Sequence, residues 1–221
     1  MELKFIYGDM PFWRAEVGRL SLFLGDIEFE DIRINRAEFS RVKERGRLDD
    51  GTIIPFNQIP CLVVDGVSIA QTAGIARFCG KLSGLYPKSD DIRAAQIDQF
   101  LDFATDINFL VSSTNVEQNH EERTLARQEL VKGALGRKLT ILENCLSEGT
   151  KYIVLQNMSI ADIAIWRLMG WLSSGVLDGV PIEILEKYPK IRGICLTVDH
   201  NPRVQEWIKL TFPENYSRGN F

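Results

Sequence analysis

The sequence predicts an α/β domain followed by an all-α domain. The first eighty residues alternate between strand-like and helix-like runs in the order βαβαββα, whereas nearly every later segment has the helical period. Between them, residues 82–90 contain Gly84 and Pro87, which interrupt both periodicities as a linker does. We therefore expect domains at 1–81 and 91–221.

The strands and helices of the first domain are predicted from the spacing of apolar residues and from the Gly and Pro residues that interrupt it. Short apolar or alternating runs predict strands, and apolar residues recurring every three or four positions predict helices. In order, these are a strand at Leu3–Tyr7, a helix at Arg14–Leu24, a strand at Phe29–Ile34, a helix at Arg36–Arg45 and an irregular loop rich in Gly, Asp and Pro at 46–58.

A hairpin follows the loop. Asp65-Gly66 lies between two apolar runs, and both residues accept the positive φ that a two-residue hairpin turn requires. Pro60 opens the first of its two strands. The expected order of strands and helices makes a small mixed sheet with helices on both faces.

The next helix is expected at Thr72–Phe78, with Gly80 as its C-cap. Gln71-Thr72 lies at its start, where backbone N–H groups have no partner within the helix. Such an end attracts a carboxylate, and the Thr hydroxyl can add a hydrogen bond. The same hydroxyl can instead cap only its own helix.

The second domain is predicted to be helical throughout. Ser159-Ile160-Ala161-Asp162 is a capping-box pattern before a strongly apolar helix, so we expect that helix to be buried and Asp162 to be structural. The predicted helices are Asp91–Leu110, Glu121–Leu146, Ser159–Leu172, Ile182–Tyr188, Lys190–Val198 and Arg203–Lys209.

Composition excludes several classes of function. The 221 residues are 45% apolar and carry a net charge of −4, which argues against a general nucleic-acid surface. No apolar run is long enough to cross a membrane, and the first residues do not read as a signal peptide, so we expect a cytoplasmic protein. The four cysteines lack metal-ligand spacing and are expected to be reduced core residues: Cys61, Cys79, Cys145 and Cys195.

Several motifs in this order resemble those of the cytosolic glutathione S-transferases. The similarity covers essentially the whole chain and is greatest to the tyrosine-type classes, the sigma class above all. The motifs are Tyr7 at the end of the first strand, Arg14-Ala15-Glu16, Gln58-Ile59-Pro60, Gln71-Thr72 before Ile75-Ala76-Arg77-Phe78, the capping box, and Asn201-Pro202 before Trp207. The resemblance implies a thioredoxin-like first domain and a glutathione-dependent transferase.

The resemblance assigns the chemistry to Tyr7 and Arg14. A phenolic hydroxyl that donates to the glutathione sulfur favours the thiolate, which is the reactive form of a thiol. Arg14 would add positive field at the same place. On the residues alone, Tyr7 can equally pack on the sheet, and Arg14 can be a solvated helix residue.

The resemblance also implies a glutathione site. Ile59, before a cis-Pro60, would pair with the cysteinyl backbone as an added strand does; the alternative is an ordinary strand-start proline. The other implied contacts are Phe39, Lys43 and Gln58 near the glycyl end, Gln71 and Thr72 on the γ-glutamyl carboxylate, and Asp106 from the other subunit of a homodimer. Phe39, Lys43 and Asp106 can alternatively belong to solvated helix faces.

A hydrophobic electrophile would bind beside the loop that follows Tyr7. The residues implied there are Met10, Phe12, Trp13, Phe109 and Leu110. Gly8, the long loop at 44–57 and Thr72 in place of Ser depart from the family pattern. No metal, nucleic acid or membrane is implied; the partners are small hydrophobic electrophiles and a second subunit. Two alternatives stay open: a glutathione-dependent isomerase of the prostaglandin D synthase kind, and a non-catalytic ligand-binding or structural relative.

Overall fold

The structure, a computed structural model, describes residues 1–116 and 119–221. The first domain has the predicted order of strands and helices. Its elements are β1 (Leu3–Gly8), α1 (Trp13–Leu24), β2 (Glu30–Ile34), α2 (Arg36–Arg45), β3 (Cys61–Val64), β4 (Val67–Ala70) and α3 (Thr72–Ser83), with a 3₁₀ turn at Pro55–Asn57. The rest is helical: α4 (Asp91–Ser112), a 3₁₀ turn at Ser113–Val116, α5 (His120–Lys132), α6 (Ala134–Cys145), α7 (Ile160–Leu172), α8 (Pro189–Asp199) and α9 (Pro202–Thr211).

The four strands form one mixed sheet in the order β2-β1-β3-β4. β1 and β2 are parallel because α1 crosses between them, and the other two pairs are antiparallel. Asp65 and Gly66 both have positive φ, as the predicted hairpin turn requires. β1 is therefore a central strand, and Tyr7 lies near its carboxyl end, opposite Arg33 of β2.

Alternation along β1 divides the apolar residues between the two faces of the sheet. Leu3, Phe5 and Tyr7 pack under α1 and α3, whereas Ile6 packs with Val42 of α2 on the other face. This period-two pattern is why the sequence of β1 identifies both a strand and a sheet covered on both sides.

Helix α7 forms the centre of the second domain. Every residue from Ile160 to Gly170 is buried, and the predicted capping box is present: Asp162 accepts from the N–H of Ser159 at 2.7 Å. The same apolar cluster includes Trp13 and Val17 of α1. Helix α1 of the first domain therefore packs into the core of the second domain.

Three sequence-based predictions of helices are wrong in extent or in type. Helix α3 continues to Ser83 and ends at Gly84, whose φ of 79° is left-handed; Gly80 lies inside the helix because it packs against α7. The predicted helix Glu121–Leu146 breaks at Gly133, whose φ and ψ of −106° and −109° interrupt the ladder. Residues 182–188 form turns with i to i+3 hydrogen bonds instead of an α-helix.

One cysteine prediction is also wrong. Cys61, Cys79 and Cys195 are buried as expected, but Cys145, the last residue of α6, is exposed because the helix ends at the surface there. Within the described part of the chain, no helix combines the length and the apolarity needed to span a membrane.

The close approach of α3 and α7 at Gly80 predicts a stability effect. A Cβ at Gly80 would lie 2.8 Å from Cγ2 of Ile160 and 2.9 Å from Cβ of Tyr86. Gly80→Ala should therefore lower the free energy of unfolding by about 1 to 3 kcal/mol, measured by urea denaturation. Gly193→Ala in α8 is the matched control, since nothing lies within 4 Å of its Cβ. It should raise stability by about 0.5 to 1 kcal/mol, and equal effects of the two substitutions would contradict the packing.

Candidate functional site

A cleft of about 410 Å³ lies where α1, the loop before β3, the start of α3 and helix α4 meet. All of its lining residues come from the sequence-predicted set: Arg14, Gln58, Ile59, Pro60, Gln71, Thr72 and Phe109. Residues separated by up to 95 positions in the chain thus converge on one concave surface. Such a convergence of polar groups in a cleft is the usual form of a ligand site.

The start of α3 forms one wall of the cleft. Gln71 precedes the helix with φ of 72° and ψ of 125°, and its side chain makes no capping hydrogen bond. Thr72 is 4% exposed, and its Oγ1 is buried without a hydrogen-bond partner among the described residues. A buried hydroxyl without a partner costs free energy, so this end of the helix fits an anionic ligand that would accept from it.

The opposite wall is the chain before β3. The Ile59–Pro60 peptide bond is cis, as the resemblance implies. Among the described residues, neither the N–H nor the C=O of Ile59 takes part in a backbone hydrogen bond. Ile59 therefore offers one donor and one acceptor to an extended peptide, which is how a strand is added to a sheet edge.

Arg14 brings a positive charge to the cleft. Its guanidinium lies 5.2 Å from the ring centroid of Trp13 and 5.7 Å from that of Phe109. It is half-buried and makes no ion pair within 4 Å with any carboxylate that the structure describes. Burial lowers the pKa of Arg14, and the electrostatic interaction with Tyr7 partly opposes that shift. A half-buried cation of this kind favours an anion beside it.

Tyr7 is available as a hydrogen-bond donor. It is 7% exposed, and its hydroxyl makes no hydrogen bond to another described residue. Burial raises the pKa of Tyr7 to about 12, although Arg14 and Arg19 oppose that shift. The phenol is therefore protonated at neutral pH. Tyr7 is not one of the lining residues, but Arg14, which is, interacts with it electrostatically.

A largely buried ionic cluster of Glu16, Arg19 and Asp31 lies beside the Tyr7 ring. The sequence did not predict it. The guanidinium of Arg19 lies 5.8 Å from the Tyr7 ring centroid and 2.7 Å from a carboxylate oxygen of Asp31. Glu16 accepts from the indole of Trp207 at 2.8 Å and lies 3.5 Å from Arg19. Burial raises the pKa of Glu16. The available signal was a pair of charged residues on the apolar face of α1.

Phe39 and Lys43 lie on α2, outside the lining of the cleft. The Lys43 ammonium is 4.7 Å from the Phe39 ring centroid, and the Lys43 carbonyl accepts from Asn57 at 2.9 Å. Lys43 is exposed. Their contact with a ligand stays a prediction.

Asp106 makes a contact within its own chain. Its carboxylate is exposed and lies 3.0 Å from the ammonium of Lys138 on α6. Asp98 lies about two helical turns before Asp106 on α4. It accepts from Arg77 at 2.8 Å and from the Tyr86 hydroxyl at 3.0 Å, so it joins α3 to α4. The contact of Asp106 with a second subunit stays a prediction.

The residues predicted to bind an electrophile divide into two groups. Met10 and Phe109 are 50% and 66% exposed, and Phe12 and Leu110 are half-buried. Trp13 is fully buried, and its indole donates to Asn108 at 2.6 Å, so it cannot contact a ligand and instead supports Arg14. The reason is that Trp13 belongs to the apolar cluster centred on α7.

The described residues contain no group of three or more His, Cys, Asp or Glu side chains that could hold a metal ion. The cleft itself presents a free hydroxyl, an edge-like backbone and a guanidinium, from Thr72, Ile59 and Arg14.

Comparison with known proteins gives consistent matches. A family model described as "Glutathione S-transferase, C-terminal domain" matches residues 105–210. Glutathione S-transferase 2 of Manduca sexta is 27% identical over 188 residues, 85% of this chain and 86% of the relative. Hematopoietic prostaglandin D synthase of Gallus gallus is 26% identical over 196 residues, 89% and 90% of the two chains. The crystal structure of a monomeric glutathione S-transferase from Necator americanus has a TM-score of 0.75 and 23% identity, covering 98% of this chain and all of that one.

Proposed function

Because the chain belongs to the glutathione S-transferase family, we propose that it binds glutathione and promotes attack of its thiolate on small hydrophobic electrophiles. The observation that carries the proposal is the orphaned Thr72 hydroxyl, which shares one cleft with the edge-like Ile59 backbone and the unpaired Arg14. We further propose a cytoplasmic enzyme of the tyrosine type, closest to the sigma class.

Glutathione fits the cleft group by group. Its γ-glutamyl carboxylate would accept from Thr72 and from the N–H groups at the start of α3, beside Gln71. Its cysteinyl amide would pair with the backbone of Ile59, as an added strand would. Gln58 would contact the glycyl end, with Lys43 beyond it as a source of positive charge. Among the described residues, neither the Thr72 hydroxyl nor the backbone of Ile59 has a hydrogen-bond partner that the ligand would have to displace first.

The chemistry would come from Tyr7. A neutral phenol can donate to a thiolate, and a hydrogen bond to the charged form lowers the pKa of the thiol. The raised pKa of Tyr7, about 12, keeps its proton in place for that purpose. Arg14 adds a positive field, since no carboxylate that the structure describes lies within 4 Å of it. Holding both reactants in one cleft supplies the remaining acceleration, by proximity.

The electrophile would bind where Met10 and Phe109 are exposed and Phe12 and Leu110 are half-buried. These side chains are apolar, and Phe109 also belongs to the lining of the cleft. Apolar side chains next to a polar glutathione site favour hydrophobic electrophiles, because apolar surface is removed from water when they bind.

A second candidate function is a glutathione-dependent isomerase. The similarity to hematopoietic prostaglandin D synthase over 89% of this chain favours it. The same thiolate would attack an endoperoxide in place of an aryl halide or an alkene. Turnover of a prostaglandin endoperoxide, with no conjugation of any aromatic or alkenal electrophile, would select this candidate.

We propose that the functional form is a homodimer. β4 is an edge strand, and beside it lie three apolar residues that are 67%, 73% and 66% exposed: Ile53, Phe56 and Val67. An exposed apolar cluster next to an open sheet edge is typical of an association surface. Asp106 would reach the glutathione of the second subunit only by leaving or sharing its contact with Lys138.

The dimer predicts a measurable mass. Light scattering of the purified protein should give about 50 kDa, twice the chain mass of 25.1 kDa. Phe56→Ser should shift the protein toward monomer because it removes the aromatic ring, which is the most exposed side chain of the cluster. A mass near that of one chain at all concentrations would reject the homodimer. A dimer whose mass is unaffected by Phe56→Ser would reject this apolar cluster as its interface.

Tyr7→Phe tests the proposed reaction. The substitution should lower conjugation of glutathione to a chlorodinitrobenzene-type electrophile by about tenfold to a hundredfold, because one charge-assisted hydrogen bond to the thiolate is lost. The pH midpoint of kcat/KM should rise, whereas binding of glutathione to the protein should change little.

Tyr188→Phe is the matched control. Its hydroxyl lies in the helical domain, where it donates to the backbone carbonyl of Gly136 at 3.2 Å. Conjugation by this variant should equal that of the unmodified protein. Equal activity of Tyr7→Phe would reject the role of Tyr7, and an unmodified protein that binds glutathione without any turnover would favour the non-catalytic alternative.

Thr72→Val should affect binding and stability in opposite directions. Loss of the hydroxyl should weaken glutathione binding about tenfold, measured by calorimetry, because the ligand carboxylate loses one donor. The free energy of unfolding without glutathione should stay equal or rise by up to about 1 kcal/mol, since a buried orphan hydroxyl is removed. Thr197→Val is the control; its hydroxyl donates to the carbonyl of Gly193 at 2.8 Å on α8, which contributes no lining residue to the cleft. A Thr72→Val protein that binds glutathione normally would show that Thr72 serves only its own helix.

A further inference from the structure

Arg167 is a fully buried cation in the middle of α7. Its Nη2 atom donates to the carbonyl of Pro11 at 3.0 Å and to the hydroxyl of Tyr216 at 3.1 Å, and its Nη1 atom donates to the carbonyl of Arg218 at 3.0 Å. The side chain therefore joins three parts of the chain: the central helix, the loop that follows Tyr7, and the segment Pro213–Phe221.

The acceptors around Arg167 are all neutral. No carboxylate among the described residues lies within 4 Å of it; Glu16 and Asp199 act on it only at longer range. The rings of Trp166, Phe212 and Tyr216 lie 5.1, 5.4 and 5.6 Å from the guanidinium carbon. Because a buried cation needs its hydrogen bonds, the positions of these carbonyls are strongly constrained.

The segment Pro213–Phe221 is itself held against the second domain. Arg218 donates to both carboxylate oxygens of Asp199 at 3.1 Å, and the N–H of Asn220 donates to the Ser173 hydroxyl at 3.0 Å. Gly170 on α7 has no side chain where the carbonyl of Arg218 passes, and a Cβ there would collide with it. The segment therefore lies in a groove shaped for it.

The loop that Arg167 holds is the one between Tyr7 and α1. Pro11 lies between Met10 and Phe12, two of the residues proposed to contact an electrophile. Phe12 packs edge-on against Trp171, one helical turn after Arg167, with ring centroids 5.2 Å apart. Both anchors of the loop are thus on the same face of α7.

We propose that Arg167 and the segment Pro213–Phe221 form a clamp on the carbonyl of Pro11, and that this clamp positions the loop Gly8–Phe12 for the electrophile. The inference rests on the proposed function, since it names the residues that shape one of its two substrate sites. Arg167 and Tyr216 are positioning residues: they act through Pro11 and do not contact a substrate. The clamp should therefore affect the electrophile and not glutathione.

Tyr216→Phe tests the clamp with the smallest change. The Tyr216 hydroxyl donates to the Pro11 carbonyl at 3.3 Å and accepts from Arg167, whereas its ring packs on Phe212 with centroids 5.5 Å apart. The substitution removes the hydroxyl and keeps the ring. We expect kcat/KM for a chlorodinitrobenzene-type electrophile to fall about fivefold, as for one lost hydrogen bond, while the KM for glutathione stays unchanged. Tyr188→Phe, which loses an equivalent hydroxyl elsewhere, should change neither.

Hydrogen exchange gives a second readout that needs no catalysis. The amides of Met10 and Phe12 donate to the carbonyls of Gly8 at 2.9 Å and Met10 at 3.0 Å. In Tyr216→Phe, the peptide covering Gly8–Phe12 should exchange faster, and in Tyr188→Phe it should not. Faster exchange in both variants would indicate general destabilisation and would overturn the clamp.

The two readouts separate the possible failures. If the unmodified protein neither binds nor turns over glutathione, the proposed function fails, and the exchange result alone decides whether the clamp exists. If the unmodified protein is active, unchanged exchange in Tyr216→Phe overturns the clamp. Faster exchange with unchanged kcat/KM for the electrophile overturns its role in positioning. A parallel rise in the KM for glutathione would show that the substitution affects the whole site, and it would also overturn the positioning role of the clamp.

Discussion

The burial of α1 on nearly all sides is the constraint on which the rest of the structure depends. One side of the helix packs under the sheet, where Gly18 approaches the ring of Phe5, and another packs against α7 through Trp13 and Val17. A helix enclosed in this way has no solvated face for charged residues. Glu16 and Arg19 must therefore find partners inside the protein, and they do so with Asp31 of β2 and Trp207 of α9. The helix thus joins the sheet to the last helix through polar contacts as well as apolar ones.

The cleft lies at the N-terminal end of this helix, and it differs from the interior in one respect. In the interior, buried polar groups such as Glu16, Asp162 and Arg167 have hydrogen-bond partners. In and beside the cleft, the Thr72 hydroxyl and the Tyr7 hydroxyl have none among the described residues. The Nη2 atom of Arg19 is also buried without a hydrogen bond, but its ion pair with Asp31 at 2.7 Å compensates it. The two hydroxyls have no such compensation within the described residues, and a ligand that accepts from them would supply it.

Local signals explain what the sequence could predict, and long-range packing explains what it could not. The Asp65-Gly66 turn and the capping box at Ser159 depend on a few adjacent residues, so their sequence patterns are sufficient. The end of α3 depends on a contact between Gly80 and Ile160 of another domain, and no local pattern distinguishes a packing glycine from a capping one. The burial of Trp13 likewise follows from α7 being beside it. The residues of the cleft were expected because of the family resemblance. Local rules alone place them at strand and helix ends, where a capping or packing role is equally open.

Arg19 and Arg167 are both buried cations that need polar partners, but their partners belong to different kinds of structure. Arg19 is neutralised by carboxylates on α1 and β2, both regular elements that keep their positions without it. Arg167 is satisfied by carbonyls and a hydroxyl that belong to a loop and an irregular segment. Regular elements have their own hydrogen-bond ladders, whereas a loop has few, so its conformation depends more on outside contacts. Removing the partners of Arg19 would therefore mainly destabilise the fold. Removing those of Arg167 would also release the loop beside Tyr7, because the charge and the loop constrain each other through the same bonds.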